Sequence, residues 1–98
     1  MKTIFLPEAE LELSEGIEFY NQQLSALGVS FLEEVRHAIS FIKSYHAIGM
    51  IVESQIRKVL VRRFPYSIIY RVDPDEIVII AVMHLKRKPR YWTKRLKD

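Results

Sequence analysis

The sequence predicts an α+β fold in one domain, made of an N-terminal edge strand, a two-helix antiparallel hairpin, a three-stranded antiparallel meander and a short C-terminal helix or tail. In the first half, apolar residues recur at spacings of three and four, which is typical of amphipathic helices. The second half is rich in β-branched and aromatic residues, which favour strands. The chain has 98 residues, of which 49% are hydrophobic and 28% charged, so residues 1–98 are predicted to form a single globular domain.

The first strand is predicted over Lys2 to Leu6, and Pro7 ends it. Proline suits the first turn of a helix, so a helix is expected to begin there. Its apolar stripe consists of Ala9, Leu13, Ile17, Tyr20, Leu24 and Leu27. Its acidic residues are interpreted as a solvent-exposed face that favours the positive end of the helix dipole; they are Glu8, Glu10, Glu12, Glu15 and Glu18. Gly28 is predicted to cap this helix in a left-handed conformation.

A second helix is predicted to begin at Ser30, because Ser30 and Glu33 have the spacing of a capping box. Its apolar stripe consists of Leu32, Val35, Ile39 and Ile42. The connection between the two helices is short, so they are expected to form an antiparallel hairpin. Residues 46–54 follow neither the helical nor the strand period and are predicted to be a loop.

Three strands are predicted in the second half, over Gln55 to Phe64, Tyr66 to Val72 and Ile77 to His84. Pro65 separates the first two, and a turn of acidic residues and proline separates the second from the third. The last strand is apolar on both sides, so both faces of the sheet need cover. The helical hairpin covers one face. The C-terminal segment, a second subunit or a partner protein must cover the other.

Composition excludes several classes of site. The chain has no cysteine, which excludes disulfides, thiolate zinc sites and a cysteine nucleophile. Neither His37 nor His46 is interpreted as a metal ligand, so no metal or other cofactor is expected. The longest apolar run, Ile77 to Met83, is far shorter than the roughly 20 residues that a membrane helix needs. Because the N-terminus also lacks the pattern of a signal peptide, a cytoplasmic protein without a membrane partner is expected.

Charge is divided unequally along the chain. Residues 1–54 contain three Lys/Arg and eight Asp/Glu, a balance of −5, whereas residues 55–98 contain twelve and four, a balance of +8. The tail from Lys86 to Asp98 alone has seven Lys/Arg around one tyrosine and one tryptophan. A cationic half of this kind favours phosphate or an acidic peptide as a partner. The alternative is a solvated basic surface.

Three segments resemble a known family: FYNQQLSALGVSFLEEV (Phe19 to Val35), RRFPYSIIYRV (Arg62 to Val72) and AVMHLKRKPRYWTKR (Ala81 to Arg95). In this order and spacing they resemble the ParE-like branch of the RelE/ParE superfamily of toxins from type II toxin–antitoxin systems. The resemblance covers essentially the whole chain. It implies a compact α+β toxin that is neutralised by a cognate antitoxin, whose extended part wraps around it. It also implies that operator DNA is contacted only through the antitoxin complex.

The resemblance implies two alternative activities. RelE-like members are metal-independent, ribosome-dependent endoribonucleases that cleave mRNA, whereas ParE-like members inhibit DNA gyrase. The ribonuclease branch has an arginine after the glycine–tyrosine pair that opens the middle strand. This chain has Pro65, Tyr66 and Ser67 at the corresponding positions, so the resemblance favours gyrase inhibition. A relative that binds an antitoxin but has lost its activity is a third alternative.

Candidate site residues follow from the same comparison. For a ribonuclease they are His84, Arg87, Tyr91 and Arg63, in which His84 would serve as a general acid or base. For binding of a target or an antitoxin they are Arg62, Arg63, Tyr66, Tyr70, Arg87, Arg90, Tyr91, Trp92 and Arg95. Each has a structural alternative: Trp92 is interpreted first as an anchor of the tail to the core. Arg62 and Arg63 are expected to end the first long strand on opposite faces.

Overall fold

A computed structural model, which describes residues 1–96, shows a five-stranded sheet between a helical hairpin and a C-terminal 3-10 helix. The elements are β1 (Lys2–Phe5), α1 (Pro7–Gln23), α2 (Leu27–Ser44), β2 (Met50–Glu53), β3 (Ile56–Leu60), β4 (Tyr66–Val72), β5 (Glu76–His84) and the 3-10 helix (Tyr91–Leu96). The strand order is β1-β5-β4-β3-β2, with β1 parallel to β5 and the other neighbours antiparallel. The predicted α+β class is confirmed. The meander has one strand more than predicted.

The connection between the helices differs from the prediction. Gly28 and Ser30 lie inside α2 instead of capping the two helices, and the left-handed residue is Ala26, with φ of 69°. Gly28 is needed for close approach, because a Cβ atom there would lie 2.3 Å from the carbonyl oxygen of Ile17 in α1. Its N–H donates a hydrogen bond of 2.8 Å to the side chain of Asn21. Gly28 therefore permits the close packing of α1 against α2 and does not end a helix.

The additional strand, β2, lies within residues 46–54, which were predicted to be a loop. Contacts distant in sequence hold this segment in place. The buried hydroxyl of Tyr70 in β4 donates to the carbonyl oxygen of His46 at 2.8 Å and accepts from the N–H of Gly49 at 3.0 Å. The guanidinium of Arg57 donates to the Gly49 carbonyl oxygen at 2.7 Å. The entry to β2 is therefore set by side chains of β3 and β4.

Replacing Tyr70 by phenylalanine is expected to lower the free energy of unfolding by about 1–3 kcal/mol, because it leaves a buried N–H and a carbonyl without a partner. Urea denaturation followed by circular dichroism measures the change. Tyr45→Phe is the matched control, since Tyr45 is exposed, and it should change the stability by less than about 0.5 kcal/mol. Equal effects of the two substitutions would contradict the role assigned to the Tyr70 hydroxyl.

The two faces of the sheet carry separate apolar clusters. On the first face, Phe31 and Ile42 of α2 pack against Ile68 and Ile79. On the second face the buried residues are Ile56, Ile69, Val78, Ile80, Ala81, Met83 and Trp92. The indole of Trp92, only 1% exposed, belongs to the 3-10 helix, which we call the C-terminal strap (residues 91–96). Of the three alternatives for covering this face, the C-terminal segment is therefore the one present. The sheet face is not an open surface for a partner.

Within residues 1–96, no helix is both long enough and apolar enough to cross a membrane.

Candidate functional site

The candidate site lies along the edge of β5, beyond the point where its pairing with β1 ends. Strand β1 pairs only with Glu76 to Ile79, so the rest of β5 has no strand on that side. Side chains take the place of a strand there. The Glu12 carboxylate accepts a hydrogen bond of 3.0 Å from the N–H of Val82, and the Arg95 guanidinium donates one of 2.9 Å to the carbonyl oxygen of Ile80. An unpaired strand edge can form hydrogen bonds with a strand of another chain. These two side-chain contacts occupy backbone groups of β5 and so protect this edge from such pairing.

Glu12 is the centre of this arrangement. Arg95 binds its carboxylate with two hydrogen bonds, of 3.0 and 2.7 Å, and the hydroxyl of Tyr91 donates a third, of 2.5 Å. The side chains of Glu12 and Arg95 are only 11% and 12% exposed. Paired charges in such a geometry form strong hydrogen bonds. The prediction that Glu12 belongs to a solvated helix face is wrong, because this position of α1 points at the edge of β5.

Tyr91 is a hydrogen-bond donor in this arrangement. Burial raises the pKa of its hydroxyl far above the usual value, and the hydrogen bond to Glu12 raises this pKa further. The guanidinium of Arg87 stacks on the ring, 3.8 Å from its centroid. A hydroxyl that stays protonated at all physiological pH values stabilises the Glu12 carboxylate. It is poorly suited to accept a proton from a substrate.

A groove of about 430 Å³ opens beside this cluster, between α1 and the end of β5. We call it the edge groove; its lining residues are Glu12, Glu15, Gly16, Phe19, Tyr66, Val82, His84 and Arg87. The His84 ring packs edge-on against Tyr66, with centroids 5.0 Å apart, and its Nδ1 accepts a hydrogen bond of 3.0 Å from the N–H of Lys86. The structure therefore brings three of the candidate residues together in the groove, with Tyr91 and Arg95 next to it.

The edge groove is not suited to a phosphate. Its lining includes Glu12 and Glu15, and the guanidinium of Arg87, which also lines it, lies 4.0 Å from the Glu12 carboxylate. Phe19 contributes an exposed aromatic ring to the same wall. The exposed carboxylate of Glu15 opposes the negative charge that develops during RNA cleavage, whereas a phosphoryl-transfer site places cations there.

Other candidates lie elsewhere. Because β3 ends at Leu60, Arg62 and Arg63 lie in the turn that follows it and not on the strand as predicted. Arg63, with φ of 71°, forms an ion pair of 3.6 Å with Glu34 of α2 and does not line the edge groove. Arg90 pairs with Glu53 at 3.1 Å. The four residues considered for a ribonuclease are therefore not assembled into one centre.

Burial separates Tyr66, Tyr70 and Trp92 from the remaining candidates. Tyr70 and Trp92 are buried and act as core residues, so the anchoring role of Trp92 is confirmed. Tyr66 is 9% exposed and lines the edge groove. Among residues 1–96, no group of three or more His, Asp or Glu side chains is placed to hold a metal ion.

Ser67 stands at the position for which the sequence resemblance to the ribonuclease branch implies an arginine. Its neighbours Tyr66 and Ile68 belong to the cluster on the helical face, so Ser67 points to the other face, which the strap covers. The side chain is 0% exposed, and its hydroxyl oxygen has no hydrogen-bond partner in the described part of the chain. A side chain buried at this position has no access to a substrate.

Glu12 was missed in the sequence, although a weak signal existed. It lies three residues after Ala9 and four before Gly16, and both of these are buried. Small residues on one face of a helix allow that face to pack closely against a neighbouring element. A glutamate on the same face is therefore placed against that element.

Comparison with known proteins identifies the fold and then the family. One chain of a solved structure, "Chromosomal ParDE TA system from P. aeruginosa", superposes with a TM-score of 0.76 over 88% of this chain and 97% of that chain, at 16% sequence identity. The two chains therefore share a fold. Residues 3–89 match the family described as "ParE toxin of type II toxin-antitoxin system, parDE", and the chain belongs to this family. No curated protein matches it. The resemblance proposed from the sequence is confirmed.

Proposed function

We propose that the protein is a growth-inhibiting toxin that binds DNA gyrase and is neutralised by a cognate antitoxin. The observation that favours gyrase over mRNA as the target is the state of Ser67. The position that would hold the arginine of an RNA-cleaving relative carries a short, fully buried side chain beneath the C-terminal strap. Membership of the ParE family supports the same choice. Action on gyrase would place the protein in the cytoplasm.

The contacts that the candidate catalytic side chains already make also favour binding over catalysis. Arg95 is bound to Glu12, and Arg63 is paired with Glu34 at 3.6 Å. The Tyr91 hydroxyl is also bound to Glu12. A ribonuclease without a metal needs free cations and a proton acceptor around one phosphate. Arg95 and Tyr91 are instead committed to holding the strap on Glu12, and Arg63 is held against α2.

Two apolar grooves flank α2 and support antitoxin binding. One, of about 580 Å³, lies between α2 and β1; the other, of about 460 Å³, lies between α2 and β3. The exposed side chains of Phe41 and Leu60 line the second groove. Apolar surface of this kind marks interaction sites. An antitoxin segment would therefore cover the helical face and not the sheet face suggested by the sequence. Contact with operator DNA would come through the antitoxin.

Induced expression in a bacterial host is expected to arrest growth, with filamentous cells, a DNA-damage response and intact mRNA. These readouts are taken from one culture, because the alternatives differ in their combination. Co-expression of the antitoxin encoded with the toxin should restore growth. Arrest with mRNA cut during translation would instead indicate a RelE-like ribonuclease. Unchanged growth with retained antitoxin capture would indicate an inactive relative.

The target is tested with purified components. Folded toxin at micromolar concentration is expected to inhibit DNA supercoiling by gyrase, and stoichiometric antitoxin should relieve the inhibition. Circular dichroism confirms that the toxin is folded. Unimpaired supercoiling in the presence of folded toxin would refute gyrase as the target.

A further inference from the structure

Two cationic turns meet at one end of the sheet. The turn before β4 and the turn after β5 are joined by a hydrogen bond of 2.9 Å from the N–H of Leu85 to the carbonyl oxygen of Pro65. The side chains they carry are all exposed; they are Arg62, Arg63, Lys86, Arg87 and Lys88. We call this group the cationic end. Residues that are more than twenty positions apart in the sequence thus form one surface.

Most of this charge is not neutralised. Arg63 has Glu34 at 3.6 Å, and Arg87 has Glu12 at 4.0 Å. Arg62, Lys86 and Lys88 form no ion pair with any side chain of residues 1–96. Exposed cations without carboxylate partners produce a positive potential that attracts polyanions.

The backbone of both turns is held in a defined shape. His84 accepts two hydrogen bonds of 3.0 Å, from the N–H of Lys86 at its ring and from the N–H of Arg87 at its carbonyl. The first turn is closed by a hydrogen bond of 2.9 Å from the Val61 N–H to the Tyr66 carbonyl oxygen. Little ordering of the backbone is then needed when the cations bind a ligand. His84 is thus a positioning residue of this surface.

We propose that the cationic end binds the phosphate backbone of a nucleic acid without the help of an antitoxin. A phosphate backbone offers regularly spaced charges, which several neighbouring cations can engage at once. Base stacking is not available here, because the Tyr91 ring is covered by Arg87 and Trp92 is buried. Binding is therefore independent of base sequence. The proposed contact with nucleic acid does not depend on the proposed binding of gyrase, so an experiment can refute one proposal and leave the other intact.

The test compares two variants with the same loss of charge. One carries Arg62→Gln, Lys86→Gln and Lys88→Gln. The control carries Lys2→Gln, Arg36→Gln and Lys43→Gln, which are also exposed but lie on β1 and α2. Fluorescence anisotropy with a labelled DNA duplex of arbitrary sequence and with a labelled single-stranded RNA measures affinity over a range of salt concentrations. Circular dichroism confirms that both variants are folded.

Wild-type affinity is expected to fall steeply with salt. The first variant should bind at least about tenfold more weakly, with a logarithmic salt slope smaller by about three, whereas the control should stay within about twofold of wild type. Preference for the duplex or for the RNA identifies the nucleic acid, and either result supports the proposal. Equal losses in both variants, or affinity independent of salt, would overturn it. So would binding of a polyglutamate peptide with neither nucleic acid bound.

Discussion

Replacing Glu12 by alanine is expected to lower the free energy of unfolding by about 3–5 kcal/mol, because it breaks a buried ion pair by removing one partner. The change would leave the Arg95 guanidinium, which is 12% exposed, without its partner. It would also remove the acceptor of the Val82 N–H and of the Tyr91 hydroxyl. For a domain with a total stability of about 5–15 kcal/mol, this loss is severe. Urea denaturation of purified protein measures it.

Two further variants make this result specific. Glu12→Gln keeps neutral acceptors and should lose less stability than the alanine variant. Glu18→Ala removes an exposed glutamate from the same helix and should change the stability by less than about 0.5 kcal/mol. If Glu12→Ala and Glu18→Ala behaved alike, the carboxylate would not hold the strap.

Replacing Trp92 by alanine is expected to cost about 3–5 kcal/mol as well, through loss of apolar contact and creation of a cavity. The indole is 1% exposed and covers Ile69, Val78 and Ile80 on the second face of the sheet. Removing it should expose that face, so binding of a hydrophobic dye and self-association should both increase. Urea denaturation, dye fluorescence and sedimentation velocity measure the three effects.

Lys94→Ala is the control for the tryptophan variant, because Lys94 lies in the same strap and is exposed. It should leave stability, dye binding and the sedimentation coefficient close to those of wild type. A Trp92→Ala protein as stable and as monomeric as wild type would show that the second face does not need the strap.

Local patterns in the sequence were sufficient for most of the fold. The strand over Tyr66 to Val72 was predicted with the bounds that the structure has, because it is bracketed by proline and an acidic turn. The need for cover on both faces of the sheet was also predicted, since β5 is apolar from Ile77 to Met83. These features depend on residues close together in the chain.

The errors concern contacts between residues that are distant in the sequence. Strand β2 has no strand period of its own; its entry is held by Arg57 of β3 and Tyr70 of β4. Gly28 has the pattern of a helix cap, but it is required where α1 and α2 approach each other. The role of Glu12 depends on the point at which β1 ends beside β5, and no local pattern encodes that point.

The order in which contacts form during folding has a consequence for newly made chains. The helical hairpin and the β3–β4 and β4–β5 pairs join neighbours in sequence, whereas Glu12 and Arg95 are 83 positions apart. Contacts of long sequence separation form slowly, because a large loop must close before they contribute. The strap is therefore expected to dock late. Until it docks, the apolar second face of the sheet is exposed to solvent. The time that the strap takes to dock therefore determines how long a newly synthesised chain is prone to aggregation.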